Sequence, residues 1–122
     1  MYLIGDMPPN TKEEVDSRRN SYQFWRGTKF EAPAYWDSEL AKLKQLNVQV
    51  NTFYLNTYCQ PSFIDIANRT GGTSCLLDVT KPDSQEILLG LFIPNILKMI
   101  GEANGDVKLG QKMVAEYMNC YK

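Results

Sequence analysis

Four residues at the ends of two apolar runs carry most of the chemistry in this chain. Asp6 follows Met1-Tyr2-Leu3-Ile4-Gly5, and Asn56, Tyr58 and Cys59 follow Phe53-Tyr54-Leu55. In open α/β sheets, ligands sit at the carboxyl ends of strands, so a carboxylate, an amide, a phenol and a thiol delivered there would line one edge. Each also has an ordinary explanation. Asp6 reads first as a turn aspartate capping local N–H groups, and Tyr58 and Cys59 read equally as loop packing. Histidine is absent, which removes the commonest general base and the commonest metal ligand. Without it no Ser/His/Asp or Cys/His constellation can be assembled, and no two acids stand at helical spacing beside a nucleophile.

A second cluster is basic and aromatic: Arg18, Arg19, Tyr22, Phe24, Trp25, Arg26 and Lys29. Such interleaving can stack on and neutralise single-stranded nucleic acid. Glu13, Glu14, Asp16 and Glu31 flank it, and that balance favours a solvated loop with aromatic anchors. Gly71-Gly72 follows a helical pattern and precedes a strand, the reverse of the order a phosphate loop needs, so it reads as a helix cap.

The elements behind these residues are legible. Asn47 to Leu55 opens with alternation and becomes continuously bulky at Phe53-Tyr54-Leu55, as an inner strand buried on both faces would. Met1 to Ile4 is a short buried strand, and Ser74 to Val79 a third. Trp36, Leu40, Leu43 and Leu46 recur at helical spacing, with Asp37 and Glu39 in the first turn. A second helix starts at Ser62 with Phe63, Ile66 and Ala67 inward. A third runs from Lys81-Pro82-Asp83-Ser84 with Ile87, Leu88, Leu91, Phe92, Ile96 and Met99 on one face, kinked or split at Pro94. Val107 to Tyr121 forms a last one. Thr11 and Glu14 make a capping box inside an otherwise irregular segment. The boundaries are a strand over 1–6, a long loop over 7–34, an αβαβα stretch over 35–100 and a C-terminal helix over 106–121. Strands alternating with helices imply right-handed crossovers and a parallel sheet of about three strands, a three-layer Rossmann-like α/β domain over 1–122.

At 122 residues with 13 basic and 14 acidic side chains, the chain has no global field to steer it to nucleic acid or an anionic membrane. Cys59, Cys75 and Cys120 are odd in number and widely spaced, which favours reduced thiols and an intracellular, cytoplasmic setting. Met1-Tyr2-Leu3-Ile4 has no basic n-region and is cut off by Gly5-Asp6, so it does not read as a signal peptide. Gly90, Pro94, Asn95 and Lys98 interrupt the longest apolar run, so no membrane is expected. A strand at the first residue implies that little precedes it or that the chain is a piece of something longer.

Four stretches together resemble the C-terminal half of a von Willebrand factor type A domain, in the intracellular branch that carries a Gly-Asp-x-Pro-Pro segment. They are Leu3-Ile4-Gly5-Asp6-Met7-Pro8-Pro9, then Tyr35 to Leu40 with Leu43, then Val48-Gln49-Val50, and Phe63 to Gly72. Ala67 to Gly72 is the most specific of these. The resemblance implies a sheet ordered 3-2-1-4-5-6, of which this chain would hold the last three strands. It also implies a divalent cation held by serines and an aspartate of the first strand's loop, a threonine of a later loop and an aspartate of the fourth strand. Asp6 matches that last aspartate by position. The Asp-x-Ser-x-Ser signature is missing, and Asp16-Ser17-Arg18-Arg19-Asn20 does not supply it. One carboxylate falls short of the roughly six oxygens Mg²⁺ requires. No Mg²⁺ or other cofactor is therefore expected, with Asp6 the single residual metal candidate.

Lacking the first half, Tyr2-Leu3-Ile4 becomes an exposed apolar sheet edge, which folded proteins normally cover. Another polypeptide, a second copy paired edge to edge, or the 7–34 segment would cover it; a symmetric homodimer would rebuild six strands. The expected function is a non-catalytic protein-interaction or scaffold module. It would present the Asp6, Asn56, Tyr58 and Cys59 edge, and the loop surface of Arg18, Arg19, Trp25 and Arg26. The alternative is a small α/β enzyme or ligand-binding protein built on Asp6, Tyr58 and Cys59.

Overall fold

A computed structural model describes residues 1–19 and 22–120, Tyr22 by its backbone only. Contacts gather the chain into two compact units, Met1–Leu76 and Leu77–Lys122. Sequence pattern alone groups the same residues as one domain.

The first unit holds a parallel sheet, and β2 (Asn51–Tyr54) is its middle strand. β1 (Tyr2–Gly5) lies on one side, in the register Tyr2 to Asn51 and Gly5 to Tyr54. β3 (Ser74–Leu76) lies on the other. All four residues of β2 are buried, as expected for an inner strand. It is shorter than its apolar run because Asn47 takes a left-handed conformation, φ 55°. There its N–H donates to the Lys44 carbonyl, and the Val48 N–H to that of Leu43. That arrangement closes a helix before a strand can begin.

Between β1 and β2 runs α3 (Trp36–Gln45), and between β2 and β3 runs α4 (Gln60–Thr70). Both lie on one face of the sheet, since Leu40, Val50 and Ile66 form a single core with Leu3, Trp36 and Leu43 against it. Sequential strands joined by crossovers of one hand must place their helices this way. Each fully buried apolar side chain contributes about 2 kcal/mol. The α3 stripe holds except at Leu46, which is 72% exposed, because the chain reverses at the next residue. α4 begins earlier than its Ser62 signal. A 3₁₀ turn over Thr57–Cys59 runs straight into it, with Pro61 in its first turn. Phe63, Ile66 and Ala67 are buried, and Gly71 caps the helix at φ 73°.

The polar groups of β2 are satisfied inside the unit. Thr52, wholly buried, donates its hydroxyl to the Phe63 carbonyl at 2.9 Å and shares a second bond with Ser74. Asn51 Oδ1 accepts from the N–H of Thr73. Without such partners each buried group would cost about 1–3 kcal/mol. The 7–34 segment is more regular than a long loop. α1 (Lys12–Arg18) starts with the Thr11–Glu14 capping box, and α2 (Tyr22–Trp25) follows.

The second unit is a helical hairpin of α5 (Ser84–Ala103) and α6 (Val107–Cys120). Tyr121 lies outside the described residues. α5 is one continuous helix with Pro94 inside it, so the expected division there does not occur. Beside the bond that Pro94 cannot make, the Asn95 side-chain amide donates to the Leu91 carbonyl at 3.0 Å. Gly101 and Gly110 are both buried where the two helices cross.

Candidate functional site

The sheet's C-terminal edge is built by the ends of β1 and β2. The Leu55 N–H donates to the Gly5 carbonyl at 2.9 Å, which keeps the two strand ends abreast. Asp6 and Asn56 leave the sheet there, and both are exposed. Asn56 is a cap: its side-chain oxygen accepts from the Tyr58 N–H at 3.0 Å. Tyr58 stands out in solvent. Cys59 does not share that surface. The 3₁₀ turn points its thiol into the core, where it is wholly buried with Tyr54 and Phe63. Asp6 and Asn56 thus leave neighbouring strand ends, Tyr58 stands exposed two residues beyond Asn56, and Cys59 belongs to packing. Among the described residues no three His, Cys, Asp or Glu side chains gather as a metal-holding group, and the three cysteines are free thiols.

Beside Asp6 the α4 face of β1 opens into a groove of about 230 Å³ lined by Leu3, Gly5, Met7, Pro9, Phe63 and Ile66. Its floor exists because residue 5 is glycine: a Cβ there would lie 3.1 Å from the Phe63 ring. Sequence reasoning missed this groove. Its trace is the Met7-Pro8-Pro9 run, which leaves a methionine and a proline ring beside the strand end rather than returning the chain to the core.

The basic aromatic cluster is largely committed to its own fold. Arg19 donates from Nη2 to the carbonyls of Phe30 and Glu31 and lies 4.5 Å above the Trp25 ring. Trp25 is half-buried and meets Phe24 edge to face. The Tyr35 hydroxyl donates to Asp16 at 2.7 Å, which raises its pKa, and the Lys12 ammonium sits over the same ring. Arg18 and Arg26 are exposed. Of the four residues expected on this surface, two are therefore available and two tie the segment to itself.

The third feature is β1 itself, an edge strand of the sheet. Met1 and Gly5 direct their carbonyls at β2, accepting from Asn51 and Leu55. Ile4 lies one residue out of that phase, so its N–H and C=O face away from the sheet. Its side chain is 48% exposed on the face opposite Leu3. No charged side chain, proline or bulge blunts Tyr2 to Gly5, the usual defences of an edge. No helix among the described residues is long and apolar enough to cross a membrane. No family model, curated protein or solved structure matches the chain.

Proposed function

We propose that this chain is a non-catalytic interaction module that associates through the open edge of β1 with a protein partner, in the simplest case a second copy of itself. The observation that carries the reading is Ile4, with an outward main chain and a half-exposed β-branched side chain on an edge free of charge. Strand addition to such an edge supplies main-chain bonds for affinity and neighbouring side chains for specificity. The parallel order β1-β2-β3 supports the resemblance to half of a von Willebrand factor type A domain, in which this edge would meet further strands. Free thiols suit an intracellular setting.

Light scattering across a wide concentration range, with and without Mg²⁺, tests the reading. The mass rises with concentration, is indifferent to Mg²⁺, and stays at one chain in Ile4→Lys, whose ammonium would have to be buried at the junction. Association that requires Mg²⁺ would move the function to Asp6. Association untouched by Ile4→Lys would exclude the edge.

A further inference from the structure

Three large apolar side chains near β1 are left in solvent: Met1 at 53%, Ile4 at 48% and Met7 at 65%. They stand at equal steps on either side of Ile4. That spacing is self-complementary. Two antiparallel copies related by a two-fold axis at Ile4 would set Ile4 against Ile4, and each Met1 against the other copy's Met7. Met1 and Met7 belong to the Leu3 face and Ile4 to the other, so the axis matches each face with itself, as a cyclic dimer demands.

The main chain has the same symmetry. Because the N–H and C=O of Ile4 face outward, the two copies exchange both bonds at that residue, as an antiparallel hydrogen-bonded pair does. On the α4 face the same register sets Leu3 of one copy against Gly5 of the other. A side chain thus meets a position that has none, at the closer spacing of a non-hydrogen-bonded pair. An axis at Leu3 would instead bring two core leucines face to face and leave Met7 without a counterpart. The groove lined by Met7, Pro9, Phe63 and Ile66 lies where the second copy's Met1 would arrive. Methionine, unbranched and polarisable, suits so irregular a space.

We propose that the partner of β1 is a second copy, paired antiparallel about Ile4, with its Met1 seated at the mouth of the Met7–Phe63 groove. This rests on the edge reading above and adds its occupant and its register.

The test is made on the full chain carrying Cys120→Ser, which removes an exposed free thiol. Ile4→Cys joins two chains under mild oxidation, since paired Cα atoms in this register stand about 5.5 Å apart, within disulfide reach. Leu3→Cys does not. Met1→Ser and Met7→Ser each weaken association about tenfold, and the double variant by less than the product, because the two side chains bury one another. A dimer that Ile4→Lys disrupts but Ile4→Cys fails to link keeps the edge and overturns the register. A dimer indifferent to Met1→Ser and Met7→Ser overturns the groove's occupant. A monomer at every concentration overturns both this geometry and self-association through the edge.

Discussion

A Cβ placed on Gly72 would lie 1.9 Å from the Val50 carbonyl oxygen, whereas one on Gly71 would meet nothing within 4 Å. The two glycines therefore do different work. Gly71 supplies a left-handed cap at φ 73°, and Gly72 lets the chain enter β3 hard against the Val50 carbonyl, just before β2. Gly71→Ala should cost about 1 kcal/mol from its backbone conformation alone. Gly72→Ala should cost about 3 kcal/mol, because β2 cannot retreat without losing its sheet partners. Equal losses in chemical denaturation would show that the close approach plays no part. The doublet announces itself as a cap in the sequence; the close approach does not, because Val50 is over twenty residues away. Asp78 offers a pH test. Its carboxylate accepts from the hydroxyl and the N–H of Thr80, and these bonds hold its pKa below the usual range. The stability it contributes is present above the unfolded value of about 3.9 and is lost as pH falls through the folded one. Melting temperatures of wild type and Asp78→Asn should differ near neutrality and converge in acid.

Between elements, the α5–α6 hairpin is set by how closely its backbones approach. A Cβ on Gly101 would lie 2.5 Å from the Gly110 nitrogen, and one on Gly110 would lie 3.1 Å from the Leu97 carbonyl. Gly90, in the same helix, has open space around it. Alanine improves helix propensity by about 1 kcal/mol at any of the three. At Gly90 nothing opposes that gain, so Gly90→Ala should stabilise the hairpin. At Gly101 the clash with backbone outweighs it, and Gly101→Ala should lose about 2 kcal/mol. Opposite shifts in the thermal loss of helical circular dichroism would confirm the assignment; shifts of one sign would refute it. Sequence reasoning reached α3, α4 and the hairpin helices because their apolar spacing is local. It placed β2 too early, at Asn47, because β-branched alternation cannot reveal that this asparagine is spent closing α3. It also left α5 kinked or split at Pro94; the helix is not split, and the Asn95 amide bonds beside the gap. Cys59 looked available for the same kind of reason: only a tertiary contact shows that its turn points the thiol inward.

For the molecule as a whole, charge decides between the remaining partner classes. Thirteen basic and fourteen acidic side chains leave a net charge of −1, and the basic ones are spread along the chain, with five of the thirteen in the 7–34 segment. There Arg19 is already bonded to two carbonyls and stacked on Trp25. Too few free cations remain in that cluster to release many counterions along a phosphate backbone, the term that dominates non-specific affinity. Fluorescence anisotropy of a labelled single-stranded oligonucleotide should therefore stay flat at low salt, up to about 100 µM protein. Association through β1 has the opposite origin. It would join main-chain groups and the side chains of Met1, Ile4 and Met7, with Asp6 set against the other copy's Tyr2 as its one charged side chain. Its dissociation constant should therefore depend on salt far less steeply than phosphate binding does. The two titrations separate the readings cleanly. A binding curve that weakens steeply with salt would transfer the function to Arg18, Arg26 and Lys29. A salt-indifferent mass increase would leave it at the sheet edge, where the outward-facing backbone of Ile4 would give a partner strand its place to pair.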